Sequence, residues 1–128
     1  LHRFAKHNDN LLTELLNSDE IEKVVKSTMV GGATLTKLLG TSAWYAPGSS
    51  IAYLVDSILN DHKNIIPCSV YLDGEYDQSD ICIGVPCLIG KNGLEKVIQL
   101  DLNDDELTKF NESADAVRLM NSSLADHT

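Results

Sequence analysis

A tight turn between two apolar segments limits the folds that this chain can adopt. The turn sequence is Lys91-Asn92-Gly93, and Asn-Gly tolerates the positive φ angles that a tight hairpin turn demands. The apolar residues that flank it are Ile81, Ile83 and Val85 on one side and Val97, Ile98 and Leu100 on the other. Alternation of this kind is typical of strands with one buried face, so the segment predicts an antiparallel hairpin.

A further strand is predicted before this hairpin. Its apolar residues are Ile65, Ile66, Val70 and Tyr71, and Pro67 lies among them. An acidic loop from Asp73 to Asp80 leads from this strand into the hairpin. We therefore expect a small antiparallel sheet.

A long helix is predicted near the start of the chain. Asn17 and Glu20 have the spacing of a capping box at a helix start. Helical spacing then continues through Ile21, Val24, Val25, Thr28, Leu35, Leu38 and Leu39, and Gly40-Thr41-Ser42 breaks it. Gly31-Gly32 in its middle indicates either a kink or close helix contact, or backbone packed near a ligand.

Two more helices complete the predicted fold. Pro47 suits the first turn of one, whose apolar stripe is Ile51, Leu54, Val55, Ile58 and Leu59 and which ends at about Asp61. The last helix has Asn103 as its cap, Glu106 at its third position, and a predicted buried stripe of Leu107, Phe110, Ala114, Val117 and Leu124. The sequence thus predicts an α+β fold, with long helices packed on a small antiparallel sheet, as one domain over residues 1–128.

Composition excludes several classes of function. The 128 residues carry a net charge of −9, which argues against nucleic acid or an anionic membrane as the main partner. The longest apolar run, about Ile81 to Ile89, is broken by Gly84 and Pro86 and is too short to span a bilayer. The first ten residues contain no apolar stretch, so we expect no signal peptide there, and without an initiator Met we do not expect Leu1 to be the start of the gene product. We interpret Cys68, Cys82 and Cys87 as buried thiols in a reducing compartment, which favours the cytoplasm.

Motifs that carry chemistry by themselves are incomplete. The acidic residues Asp73, Glu75, Asp77 and Asp80 begin like a calcium loop, but Gln78 and Gly84 occupy the places of its required Gly and Glu. No two of His2, His7, His62 and His127 have the spacing of a metal pair on one helix, and His62 is expected at a helix C-terminus. Gly48-Ser49-Ser50 near a helix start predicts a cap more than an anion site. We expect no metal site.

Three ordered segments are more specific. They are Ser42-Ala43-Trp44-Tyr45-Ala46-Pro47, then residues 66–76 (IPCSVYLDGEY), then Gly84-Val85-Pro86 with residues 89–98 (IGKNGLEKVI). From about Leu1 to Leu124, the chain resembles the C-terminal, substrate-side domain of the lactate/malate dehydrogenase family, in particular its lactate dehydrogenase-like malate dehydrogenases.

The resemblance implies a division of labour. The family transfers a hydride between NAD and a small 2-hydroxy acid, so the expected reaction is malate and NAD to oxaloacetate and NADH, with lactate as the alternative substrate. The glycine-rich turn that binds NAD belongs to an N-terminal Rossmann domain, which is absent from this chain. The family's catalytic His, Asp and Arg residues are expected upstream of Leu1. The resemblance therefore implies no catalytic and no cofactor-binding residue here, and a chain that is inactive alone.

The resemblance also implies a substrate-facing wall. Ser42 and Ala43 are expected beside the bound oxo acid, with Pro47 beginning the helix behind it, and the small side chain of Ala43 leaves room for a second carboxylate. The expected partners are the N-terminal Rossmann half and further copies in a homo-oligomer. A stand-alone dimerisation module or an inactive remnant is the alternative, favoured by departures from the family pattern such as the missing glycine between Thr41 and Ser42.

Overall fold

The computed structural model describes residues 2–125. The chain divides into two compact units, Leu1–Ser49 and Ser50–Thr128, which are described in turn. Among the described residues, no helix has the length and apolar character needed to cross a membrane.

The first unit contains a small hairpin and a long helix. A 3₁₀ turn at His2–Phe4 leads into β1 (Lys6–His7) and β2 (Asn10–Leu11), which pair antiparallel. Asn8 and Asp9 make the reversal in the left-handed region that these two residue types tolerate. The short helix α1 (Leu12–Leu15) then precedes α2 (Ser18–Leu39).

The ends of α2 confirm the sequence prediction. The Asn17 side chain accepts a hydrogen bond from the Glu20 N–H (3.0 Å), and the Glu20 carboxylate accepts one from the Asn17 N–H (2.9 Å). Gly40 ends the helix with a left-handed φ of 70°. The helix continues through Gly31-Gly32, and a Cβ on either glycine would meet nothing within 4 Å. These glycines therefore do not interrupt the helix, and no other described part of the chain packs closely on them.

Helix α3 (Tyr45–Leu59) begins two residues before Pro47 and ends two residues before the expected Asp61. Its predicted apolar stripe is only partly buried. In the second unit, Leu54 and Ile58 pack against the core, and Ser57 between them is fully buried. Ile51, Val55 and Leu59, the other members of the stripe, are exposed. Only one narrow side of the helix meets the sheet.

A three-stranded antiparallel sheet, with the order β3-β4-β5, forms the centre of the second unit. Its strands are β3 (Asn64–Asp73), β4 (Ser79–Gly90) and β5 (Gly93–Val97). Ile98 and Leu100 follow β5 instead of lying in it, so the predicted return strand is too long. In the turn, Gly93 adopts a left-handed φ of 82°, whereas Asn92 is not among the residues with positive φ. The predicted α+β class with a small antiparallel sheet is confirmed.

The core lies on one face of this sheet. Alternate residues of β4 are buried there, namely Ile81, Ile83, Val85, Cys87 and Ile89. Helix α4 (Asp104–Ala125) packs on them through Ala114, Phe110 and Val117. Leu107 and Leu124 are exposed, so the predicted stripe of α4 is buried only in its middle. A 22-residue helix is about 33 Å long, which exceeds the part that the sheet covers.

The prediction that all three cysteine thiols are buried is wrong for Cys82. Cys87 is fully buried and Cys68 is half-buried, but Cys82 is exposed, and all three are free. Cys82 lies one residue out of phase with the buried positions of β4, so its side chain points to the opposite face of the sheet.

Candidate functional site

The connector between α2 and α3 carries the candidate substrate-facing residues. Ser42 is exposed and Ala43 is half-buried in this irregular segment. Pro47 is the third residue of α3 and does not begin it, which corrects the expected helix start. Proline is tolerated there because the first N–H groups of a helix have no acceptor within it.

The N-terminus of α3 immediately follows Ser42 and Ala43. Its first backbone hydrogen bond runs from the Gly48 N–H to the Trp44 carbonyl oxygen (2.8 Å). The N–H groups of Tyr45 and Ala46 therefore lie ahead of the first helical bond and at the positive end of the helix dipole. This end of the helix can hydrogen-bond a carboxylate.

The expected cap of this helix also needs correction. Gly48-Ser49-Ser50 lies inside α3, so it does not supply the cap. Trp44 occupies the cap position, with its indole ring 6.2 Å from the phenol ring of Tyr45. The tyrosine is 84% exposed, so the helix start presents aromatic surface as well as N–H groups. The adjacent aromatic residues Trp44 and Tyr45 are the feature of the sequence that could have indicated this aromatic surface.

In the acidic turn between β3 and β4, a side chain hydrogen-bonds to the backbone of the same turn. It is shorter than predicted, because β4 already begins at Ser79. The Glu75 carboxylate accepts a hydrogen bond from the Asp73 N–H (2.8 Å), which lowers the pKa of Glu75. Gly74 allows the reversal with a φ of 117°. Within residues 2–125, no group of three or more His, Cys, Asp or Glu side chains is arranged to hold a metal ion.

Charged groups near the end of α3 form a second cluster. The Lys63 ammonium lies 2.6 Å from Oε1 of Glu95 and 3.1 Å from Oδ1 of Asp61. The hydrogen bonds to Glu95 and then Asp61 raise the pKa of Lys63. The Asp61 carboxylate also accepts the Lys91 N–H (2.8 Å), and this bond, followed by Lys63, lowers the pKa of Asp61. These contacts tie the segment after α3 to the hairpin turn.

The side chains of His62 and His7 each contact a residue nearby in the sequence. Nε2 of His62 lies 3.0 Å from Oδ2 of Asp56, and its backbone N–H donates to the Ser57 carbonyl oxygen, which confirms the predicted place after a helix C-terminus. His7 contacts Asn8 beside the first hairpin. His127 lies outside the described residues. The described chain thus offers a helix end suited to an anion, with a small residue and a hydroxyl beside it.

Comparison with known proteins identifies what this arrangement is similar to. A model of the lactate/malate dehydrogenase alpha/beta C-terminal domain matches residues 8–123. Malate dehydrogenase of Flavobacterium frigidimaris is 62% identical over 124 residues, which cover 97% of this chain and 40% of that protein. The Bacteroides thetaiotaomicron malate dehydrogenase is 57% identical over 126 residues, covering 98% of this chain and 40% of that protein.

Solved structures give the same result. Malate dehydrogenase from Salinibacter ruber superposes with a TM-score of 0.93 at 39% identity, over 98% of this chain and 41% of that one. Lactate dehydrogenase from Eimeria maxima, solved with NADH and oxamate, superposes with a TM-score of 0.92 at 36% identity, again over 98% and 41%. The chain therefore spans about two fifths of the length of the proteins it matches.

Proposed function

Because this chain belongs to the lactate/malate dehydrogenase family, as its alpha/beta C-terminal domain, we propose that the enzyme carrying it is an NAD-dependent malate dehydrogenase. The chain would supply the substrate-side wall and the contacts for oligomerisation. The observation that carries the proposal is the identity with proteins named malate dehydrogenase across nearly the whole chain.

The substrate would lie at the connector before α3. A 2-oxo acid carries a carboxylate, and the N–H groups of Tyr45 and Ala46 at the helix end favour such a group. The Ser42 hydroxyl can donate a further hydrogen bond, and the small side chain of Ala43 leaves space for the second carboxylate of oxaloacetate. Pro47 stiffens the first turn behind them. Pyruvate and lactate are the alternative pair, since one similar structure is a lactate dehydrogenase.

We propose that the described part of the chain does not hold NAD by itself. A dinucleotide fold needs parallel strands and a glycine-rich turn that opens a helix, whereas the strands of residues 2–125 pair antiparallel. We propose that NAD and the proton-transfer residues lie in the other part of the enzyme, in a Rossmann half. The 128-residue chain alone is then inactive.

Apolar surface on α2 supports a homo-oligomer. No residue of this 22-residue helix is buried in the chain by itself. Its exposed apolar side chains are Val24, Val25, Met29, Val30, Leu35, Leu38 and Leu39. A continuous apolar surface of this kind is typical of a region that another subunit or domain covers. The three free thiols suit the reducing cytoplasm, where we place the enzyme.

An assay of the full-length enzyme tests this function. Oxidation of NADH would be followed with oxaloacetate and with pyruvate, and the 128-residue chain would serve as the control. We expect turnover with oxaloacetate by the full-length enzyme alone. Preference for pyruvate would instead assign a lactate dehydrogenase, and turnover above about 1 s⁻¹ by the short chain would contradict the division of labour.

A stand-alone interaction module is the second candidate, and the exposed side of α2 favours it. In that case the 128-residue chain would form a dimer by itself and no oxo acid would be reduced by any longer form. Sedimentation of the short chain over a range of concentrations separates the two candidates. A chain that stays monomeric at high concentration would exclude the module.

A further inference from the structure

The turn between β4 and β5 contains the only Asn-Gly pair of the chain, Asn92-Gly93. Asn92 is exposed, and Gly93 has no Cβ that would shield its backbone nitrogen. A backbone nitrogen can attack the side-chain amide carbon of the asparagine before it, because the product is a five-membered ring. The turn therefore places both reacting groups of a spontaneous ring closure in adjacent residues.

The side-chain amide of Asn92 is also free. Within residues 2–125, most asparagine side chains hydrogen-bond to another residue, and these are Asn8, Asn10, Asn17, Asn60, Asn64, Asn103 and Asn111. Only Asn92 and Asn121 make no such bond in this part of the chain. Asn121 lies inside α4, where the N–H of the next residue is held by its helical hydrogen bond. Asn92 is therefore the one asparagine of the described chain that has a free amide, a following glycine and a place in a turn.

Two interactions hold the ends of this turn. The Lys91 N–H donates to Oδ1 of Asp61 over 2.8 Å, and Gly93 lies opposite Gly90 at the end of the ladder. Ring closure brings the Gly93 nitrogen onto Cγ of Asn92, so the end of the hairpin must open first. Local opening of a turn requires less free energy than global unfolding. The contact with Asp61 therefore controls how often the reactive geometry is reached.

We propose that Asn92 is a site of spontaneous deamidation, a modification that does not depend on the reaction that the enzyme catalyses. The Gly93 nitrogen bonds to Cγ of Asn92 while the bond from Cγ to Nδ2 breaks, and the proton of the Gly93 N–H leaves with that nitrogen as ammonia. Water then opens the resulting succinimide. Attack of water on the side-chain carbonyl carbon gives aspartate, and attack on the backbone carbonyl carbon gives isoaspartate, whose main chain runs through the side chain.

The isoaspartyl product changes the hairpin itself. β4 and β5 meet at Gly90 and Gly93, with only two residues between them, and a turn this short fixes the register of its strands. Isoaspartate adds a carbon atom to the backbone of the turn, which weakens the pairing of β4 with β5. Either product also adds a negative charge to a chain whose net charge is already −9, so anion exchange separates the modified protein from the unmodified one.

Incubation of the full-length enzyme in mildly alkaline buffer tests the site. Peptide mass spectrometry locates each conversion, and a protein-isoaspartate methyltransferase with labelled S-adenosylmethionine counts the isoaspartyl groups. We expect Asn92 to convert before any other asparagine of this chain. Asn92→Gln should remove the signal, because its ring would have one more member and close far more slowly. Earlier conversion at Asn121, or an intact Asn92 after a time in which the urea-unfolded enzyme converts, overturns the proposal.

A matched pair of variants tests the control by Asp61. Asp61→Gly removes the acceptor of the Lys91 N–H, and glycine keeps the left-handed φ of 52° at this position without strain. We expect Asn92 to convert several-fold faster in this variant. Asp9→Gly is the control, since Asp9 has a similar φ of 67° but lies in the hairpin of β1 and β2. Equal rates in the two variants would overturn the role of the Asp61 contact.

The effect on the hairpin is measured by urea unfolding of the isoaspartyl form, purified by anion exchange. Asn92→Asp is the matched control, because it adds the same charge and keeps the ordinary backbone. We expect a lower urea midpoint for the isoaspartyl form than for Asn92→Asp. Equal midpoints would overturn the claim that the longer backbone weakens the hairpin. These measurements do not involve oxaloacetate or NADH, so their failure and the failure of the proposed function are distinguishable.

Discussion

The phenol hydroxyl of Tyr76 donates a hydrogen bond to the carbonyl oxygen of Ile98 over 2.7 Å. The same hydroxyl accepts the Leu100 N–H at 2.9 Å, and the ring lies 5.0 Å from that of Phe110. One side chain thus joins the turn before β4, the segment after β5 and helix α4. Tyr76 also adopts a left-handed φ of 55°, a conformation that these contacts hold in place.

Tyr76→Phe should lower the free energy of unfolding by about 1–3 kcal/mol. The ring keeps its packing on Phe110, but the Ile98 carbonyl oxygen and the Leu100 N–H lose a partner in a half-buried site. Urea unfolding of the variant measures the change. The control is Tyr53→Phe on the exposed side of α3, for which a change below about 0.5 kcal/mol is expected. Equal effects of the two substitutions would contradict the role of the hydroxyl.

Gly90→Ala should destabilise the second unit by about 1–3 kcal/mol. A Cβ there would lie 2.7 Å from Cδ of Glu95 and 2.8 Å from Oδ1 of Asp61. Both carboxylates are held by Lys63, so the new methyl group must displace the ion pairs or the strand. Urea unfolding of Gly90→Ala measures the loss of stability. The control is Gly48→Ala in α3, because a Cβ there would meet nothing within 4 Å. A neutral result would mean that Glu95 and Asp61 move aside freely.

Asp61→Asn should weaken the dependence of the free energy of unfolding on pH in the acid range. The folded pKa of Asp61 lies below its ordinary value of 3.8, chiefly through the Lys91 N–H and then Lys63. A depressed carboxylate pKa contributes stability above the unfolded value, and that contribution is lost as pH falls through the folded value. Asparagine keeps the left-handed φ of 52° at this position, since it tolerates that region nearly as well.

Urea midpoints of the wild type, of Asp61→Asn and of the control Asp9→Asn would be compared from pH 6 to about pH 2.5. The difference between the wild type and Asp61→Asn should shrink as pH falls below about 4. A difference that stays constant over this range would show that Asp61 contributes through packing and not through its charge.

Local chemistry made most of the fold predictable. The capping residues Asn17 and Asn103 act on backbone groups three positions away, and both caps form as the sequence indicates. Gly93 likewise takes the positive φ that ends the hairpin turn. These features are short-range, so they do not depend on what the rest of the chain does.

Burial was less predictable, because it depends on which surface lies opposite each residue. Cys82 is an exception, because the alternation of Ile81, Ile83 and Val85 already places its side chain on the opposite face of the strand. Leu124 belongs to the apolar pattern of α4 but lies 67% exposed, beyond the part of the helix that packs on the sheet. The candidate site likewise came from a resemblance, and the structure added that α3 begins at Tyr45, before Pro47.

Ser42→Ala in the full-length enzyme should lower kcat/KM for oxaloacetate by about 10- to 100-fold. A hydrogen bond from the Ser42 hydroxyl to a charged substrate group is worth about 1.5–3 kcal/mol, and alanine removes it without adding bulk. Ser49→Ala, in the interior of α3, is the matched control and should leave kcat/KM unchanged. Ser42→Thr keeps the hydroxyl and should recover part of the loss. If Ser42→Ala and Ser49→Ala behave alike while both variants stay folded, Ser42 does not contact the substrate.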